Sequence, residues 1–103
     1  MQEIFKQAKE MQKKMAELQE QLAKQTVEAT AGGGMVQVTA NGSMEVVSIW
    51  IDPSVIDPQD SAMLQDLVTA AVNEALKKAK EMKENEMSKL TGGMNIPGMD
   101  LLS

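Results

Sequence analysis

Apolar residues recur with a heptad rhythm at the start of the chain. Ile4, Ala8, Met11, Met15, Leu18 and Leu22 follow one another at spacings of 4, 3, 4, 3 and 4, the a/d pattern of a helix that presents a narrow seam to a neighbour. No Gly or Pro occurs before Gly32, and Ala, Leu, Met, Glu, Gln and Lys fill the intervening positions, all strong helix formers. The predicted first element is a helix of about 22 residues, a rod ~33 Å long. A seam this narrow suits helix–helix contact better than broad burial in a globular core.

From residue 26 to 51 the period changes. Val36, Val38 and Ala40 alternate with Gln37, Thr39 and Asn41, which predicts a strand with two distinguishable faces. Asn41-Gly42 is the preferred central pair of a type I′ hairpin. Such a turn would align Ala40 with Ser43, Val38 with Glu45 and Val36 with Val47. One face is then predicted to carry Val36, Val38, Val47, Ile49 and Ile51. The other carries Gln37, Thr39, Met44, Val46, Ser48 and Trp50. Gly32-Gly33-Gly34 reads as a second turn, with TVEATA before it as a first strand.

Asp52-Pro53 ends the sheet. Asp57-Pro58-Gln59-Asp60 then reads as a helix start, with Asp57 as N-cap and Pro58 at the first helical position. Leu64, Leu67, Val68, Ala71, Val72, Ala75, Ala79 and Met82 keep helical period over about residues 58–88, and the alanines thin one side for close approach. The predicted fold is α+β: α-β-β-β-α, two helices and a three-stranded antiparallel meander. Residues 92–103 lose periodicity and collect Gly, Pro and Met, the pattern of a flexible C-terminal tail.

Composition removes several chemistries. The 103 residues contain no Cys, His, Tyr or Arg, one Trp and one Phe. Thiolate and imidazole metal sites, disulfides and Ser/His or Cys/His nucleophile pairs are therefore absent. Ten methionines supply adaptable core filling rather than a soft-metal site. The charged N-terminal stretch and the lack of any apolar run near ~18 residues lead to the expectation of a soluble cytoplasmic protein without a membrane partner. A core this small makes self-association an expectation from the outset.

Net charge is −5, but unevenly placed. Residues 1–24 hold five Lys and four Glu; residues 25–60 hold no Lys and five acids (Glu28, Glu45, Asp52, Asp57, Asp60); residues 61–90 balance five Lys against five acids. A polyanion could be attracted only by the helices. On the first, Lys6, Lys9 and Lys13 form a stripe off the seam and Lys14 flanks it. On the second, Lys77, Lys78, Lys80 and Lys83 cluster. Ammonium groups spaced to meet phosphates suffice for non-specific duplex binding. The lack of Arg removes the usual bidentate reader of guanine. The same lysines also stand at i,i+4 to carboxylates (Lys6–Glu10, Lys13–Glu17, Glu10–Lys14, Glu20–Lys24, Glu74–Lys78, Lys77–Glu81, Lys80–Glu84), the ordinary look of a solvated helix. Taken alone, that interleaving and the acidic balance speak against nucleic acid.

Five segments in this order resemble the YbaB/EbfC family of nucleoid-associated proteins. They are the Lys/Gln-rich first helix, GGGMVQVTANG at 32–42, VVSIWIDP at 46–53, MLQDLVTAAVNEALKKAKE at 63–81, and the KLTGG and PGM pieces between 89 and 99. The resemblance spans essentially the whole chain. It implies a homodimer with helices projecting as arms, binding duplex DNA with little sequence preference, on the nucleoid in the cytoplasm. Residues 1–91 would form the DNA-binding and dimerisation domain. The resemblance turns the preference toward a DNA role for the lysines as a group.

Remaining features read as structural. Gly32-Gly33-Gly34 lacks the spacing and Lys-Ser/Thr of a phosphate loop. Asp52, Asp57 and Asp60 stand beside prolines or at a helix start, where capping explains them. No catalytic residue, cofactor, metal or small-molecule substrate is expected, and the chain is not expected to be an enzyme. Met44, Val46 and Trp50, beside Gln37 and Thr39, predict a dimer interface on the second sheet face. The alternative function is a prefoldin-like helical clamp or scaffold that holds protein partners along the first-helix seam.

Overall fold

Helix α1 runs over Gln2–Lys24, with Glu3 in its first turn and Lys24 in its last, each of the sign that complements the helix dipole. In the computed structural model, which describes residues 2–90, three six-residue strands follow: β1 (Thr26–Ala31), β2 (Val36–Asn41) and β3 (Val46–Ile51). Single 3-10 turns at Pro53–Val55 and Pro58–Asp60 lead into helix α2, Ser61–Leu90. The strands form an antiparallel sheet in the order β1-β2-β3. This is the α-β-β-β-α arrangement expected from the pattern. The flexible tail read at 92–103 lies outside the described residues.

Every glycine of the β1–β2 turn is left-handed, with φ of 65° at Gly32, 69° at Gly33 and 95° at Gly34. Three consecutive positive φ values are strained for any side-chain-bearing residue, which is why this turn is built of Gly alone. The β2–β3 turn departs from the type I′ expectation. Asn41 and Gly42 keep ordinary backbone, and the left-handed residue is Met44, φ 64°. The Asn41 side chain organises the loop: Oδ1 accepts the Ser43 N–H at 3.0 Å and the Glu45 N–H at 3.1 Å. That Asx geometry competes with the two-residue hairpin and lengthens the loop. The register moves with it. Val36 pairs with Ile51, Gln37 with Trp50, Val38 with Ile49 and Thr39 with Ser48, and a shift follows so that Ala40 pairs with Val46. Val46 therefore stands across from Ala40, not in the row of Trp50, and Val47 is the extra residue of a bulge.

The core lies between α2 and the face of β1 and β2. Ala29, Val36, Val38, Ala40, Ala71, Ala75 and Ala79 form one buried cluster. Three alanines at i, i+4 and i+8 let the helix axis approach the sheet closely. Gly32 at one end of β1 sits against Leu67, and Lys78 reaches the carbonyl of Glu28 further along the strand. α2 thus crosses the sheet from the glycine turn toward Thr26. At ~1.5 Å per residue its 30 residues measure ~45 Å, so the last turns run past the sheet. There they meet α1, because Leu90, Lys89 and Glu86 share a groove with Lys14, Leu18 and Gln21. The two helices are antiparallel, and together they make an arm. The molecule measures 68 × 27 × 16 Å.

The entry to α2 begins one turn later than expected. Asp57 caps the 3-10 turn at Pro58, accepting the Gln59 N–H at 2.9 Å, and Asp60 accepts the Met63 N–H at 3.3 Å at the start of the α-helix proper. Asp52 does the same for Pro53–Val55, its carboxylate accepting the Ser54 N–H at 2.9 Å. The Ser54 backbone bond, then the bond from its side chain, hold the Asp52 carboxyl below the usual aspartate range. A depressed folded-state pKa stabilises the fold above the unfolded value and loses that contribution as pH falls through the folded one. Asp52→Ala should therefore lower the melting temperature slightly at neutral pH, with the difference from wild type narrowing as pH falls through and below the usual aspartate range. Thermal melts across that range check it; a difference constant with pH would show that the carboxylate charge has no part.

Candidate nucleic-acid interface

Lysines on α1 are placed by helical geometry alone. At 100° per residue, Lys6, Lys9 and Lys13 fall roughly 140–200° around the helix from Ile4. They occupy the side opposite the apolar seam, and all three are exposed. Lys14 sits by the groove where α2 ends. On α2, Lys77, Lys80 and Lys83 are exposed; Lys77 and Lys80 are turned away from the buried alanine row, and Lys83 continues that row one turn beyond Ala79. Lys78 is drawn back to the sheet, its Nζ donating to the Glu28 carbonyl at 3.0 Å. Of the eight candidates, Lys78 is the one with a structural task, tying α2 to the outer strand.

None of the seven i,i+4 carboxylate pairs closes to contact. Among the described residues the ion pair present is Lys89–Glu86 at 3.2 Å, an i,i+3 pair on the last turn of α2. The ammonium groups of Lys6, Lys9, Lys13, Lys80 and Lys83 are thus not held by neighbouring acids, and exposed pairs of this kind would bind weakly in any case.

Charge segregation along the chain becomes segregation in space. Asp52 is tied to the sheet end that carries the glycine turn, its N–H donating to the Met35 carbonyl at 2.8 Å. Asp57 and Asp60 come next to it there, at the start of α2. The lysine-bearing helices leave from the opposite end, where Gly42 docks on Leu22. Measured along the helices from the Leu18–Leu90 junction, Lys6 and Lys77 stand about 37 Å apart. One duplex turn is ~34–36 Å. A chain of net charge −5 therefore offers lysine-bearing helices set apart from Asp52, Asp57 and Asp60, whereas Glu45, in the turn beside Leu22, and Glu28, beside Lys78, lie nearer to them.

Kinship with known proteins bears on what the arm meets. The model of the YbaB/EbfC DNA-binding family matches residues 1–94. The chain belongs to that family. Two relatives called nucleoid-associated protein are similar over almost the full length. One, from Syntrophobacter fumaroxidans, is 55% identical over 97 residues, covering 94% of this chain and 88% of its own. The other, from Pelotomaculum thermopropionicum, is 56% identical over 99 residues, covering 96% and 94%. In three dimensions the fold is similar to the crystal structure of uncharacterized protein HP0035 from Helicobacter pylori, with a TM-score of 0.76, 27% identity, and 85% of this chain and 92% of that one covered. Membership of the YbaB/EbfC family makes this a nucleoid-associated DNA-binding protein.

A second surface stands out on β3. Val47, expected beside Val36 in the core, is 56% exposed, and Ile49 is 45% exposed, because α2 covers β1 and β2 and barely reaches β3. On the other face Trp50 is 50% exposed, while its neighbours Gln37, Thr39 and Ser48 are polar. Toward the turn, Val46, across from Ala40 and so not in the row of Trp50, is 40% exposed, and Met44 is 39% exposed. The apolar exposure is thus gathered on one edge strand, on both its faces, not spread over the second sheet face. Val47 and Ile49 were expected in the core and not on this surface. The signal that could have placed them was the ratio of one covering helix to three strands. No described helix is long and apolar enough to cross a membrane.

Proposed function

We propose that this protein binds duplex DNA in the cytoplasm as a homodimer with little sequence preference, organising the nucleoid and influencing gene expression. Lys6, Lys9, Lys13 and Lys14 of α1 and Lys77, Lys80 and Lys83 of α2, with Lys78 beside them, carry the phosphate contacts. The observation that carries the reading is the exposed lysine set that runs about one duplex turn from Lys6 on the arm to Lys77 on the outer side of α2, where the helix still covers the sheet, away from Asp52, Asp57 and Asp60. Lysine point charges meet phosphates without demanding a base, and the absence of Arg fits low specificity. No catalytic step, cofactor or small-molecule substrate enters this function.

Dimerisation is assigned to β3, through Trp50, Met44 and Val46 joined by Val47 and Ile49. An edge strand that exposes apolar side chains on both faces and a row of unpaired backbone groups is a template for a second copy.

Salt dependence tests the reading. If each subunit meets three or four phosphates, log K against log salt should slope at about −5 to −7 for random-sequence duplex, at roughly −0.9 per phosphate. Lys6/Lys9/Lys13→Ala and Lys77/Lys80/Lys83→Ala should each flatten the slope and leave the dimer intact. The prefoldin-like clamp is favoured by one observation, the exposure of Ile4 and Phe5 on the arm. A flat salt response, or triple variants that bind as wild type does, would decide for it.

A further inference from the structure

The seam of α1 is covered at one end and bare at the other. Leu18 and Leu22 are 7% and 3% exposed, whereas Ile4 is 70% and Met11 48% exposed. The change comes where α2 stops: Leu90 lies in the same groove as Lys14 and Leu18. Because α2 runs antiparallel to α1, α2 ends at Leu90 at the beginning of the bare stretch with its axis pointing along it. The chain continues as residues 91–103, with Met94, Ile96, Met99, Leu101 and Leu102 and a single charged side chain, Asp100. The distance to be covered, from Leu18 to Ile4, is about 21 Å along the helix. Residues 91–103 can reach up to ~43 Å when extended. An apolar strip left exposed among the described residues thus begins where α2 ends, and an apolar segment of sufficient length follows α2 in the sequence.

We propose that residues 91–103 of the same chain seat on the α1 seam, against Ile4, Ala8 and Met11, and so complete the two-helix arm. The seat leaves Lys6, Lys9 and Lys13 outward on the opposite side of α1. It goes beyond the DNA-binding reading and does not depend on it. Its consequence is mechanical: an arm covered along its whole length is stiff, whereas a lone helix with a bare seam frays.

The chain has no cysteine, so Ser103→Cys provides a unique attachment point for a nitroxide label on the full-length protein. The isotope-enriched, labelled chain is mixed with excess unlabelled wild type, so that any partner is diamagnetic and only broadening within one chain is read. No DNA is present, which keeps the result separate from that of the salt titration. The expected result is loss of amide intensity over α1 between Ile4 and Met15, with Gly32–Gly34 unaffected. Adding Ile4→Glu and Met11→Glu, substitutions that keep helix propensity, should restore that intensity while circular dichroism retains the helix. Undiminished intensity along α1 would overturn the proposal. So would broadening seen only when the label is on the other chain, which would mean the seam holds a second copy, and so would broadening that survives the two Glu substitutions.

Discussion

Trp50→Ala should weaken self-association by about thirty- to several-hundred-fold, the equivalent of ~2–4 kcal/mol for a central aromatic anchor. The fold should survive. Trp50 is half exposed, pairs across the sheet with Gln37 and takes no part in the buried cluster around Val36, Val38 and Ala75. Ile49→Asp, on the other face of the same strand, should act at least as strongly, since it would bury a carboxylate without a partner. Both variants are read by sedimentation across a micromolar concentration series. Because Trp50 is the sole tryptophan, its emission should also shift to the red as the dimer dissociates. If the wild type sediments as a monomer at micromolar concentration, assignment of β3 to a dimer interface is wrong. If Trp50→Ala alone leaves the dimer intact while Ile49→Asp breaks it, the contact lies on the helix-covered side of the strand.

That interface illustrates what one-dimensional pattern can and cannot carry. Alternation in 36–40 correctly placed Val36, Val38 and Ala40 on one face, because the side-chain period of a strand is fixed by its backbone. The same logic put Val47 and Ile49 with them. Ile49 shares the face by pairing with Val38, and Val47 is the bulge residue; neither shares the burial, since burial depends on how wide a strip a single helix covers. Register failed for a local reason. Asn41-Gly42 reads as a two-residue turn from its identity, yet the Asn41 side chain bonds to the backbone of Ser43 and Glu45 and extends the loop to Met44. Lysine positions on α1 and α2 were legible from helical period, as was the acidic middle segment. Their separation in space was not, because it depends on α1 and α2 leaving the sheet at the same end while the aspartates cap turns at the other. Nor could spacing reveal that Lys78 bonds the Glu28 carbonyl, a contact between residues 50 apart in the chain.

Gly42 is the position where a single methyl group should unseat the arm. Its N–H donates to the Leu22 carbonyl at 2.8 Å and to the Gln25 carbonyl at 3.1 Å, supplying a donor to the end of α1. A Cβ there would stand 2.7 Å from Leu22 Cδ2, 2.8 Å from Leu22 Cβ and 2.8 Å from the Leu22 carbonyl oxygen. Rotating the leucine cannot relieve contacts with its own Cβ and backbone, so the hairpin and helix must separate. Overpacking of this kind costs ~1–3 kcal/mol, and the bonds stretched by the separation add ~0.5–1.5 kcal/mol each. Little else anchors α1, in which only Leu18 and Leu22 are buried. The Asn41 amide reaches the Ala23 carbonyl at 3.3 Å from the same turn and would be displaced with it. Gly42→Ala should therefore lower the melting temperature by roughly 10–20 °C, at about 4–8 °C per kcal/mol for a domain of this size. The loss should be polarised. Amide exchange of α1 should accelerate well before that of β1, β2 and the Ala71–Ala79 segment of α2, whose buried cluster does not involve Gly42. DNA affinity should fall with it, because Lys6, Lys9 and Lys13 lose their fixed position relative to the lysines of α2. A Gly42→Ala protein that melts within a degree or two of wild type would show that the turn can retreat from Leu22 without cost, and that the arm is held by something other than this contact.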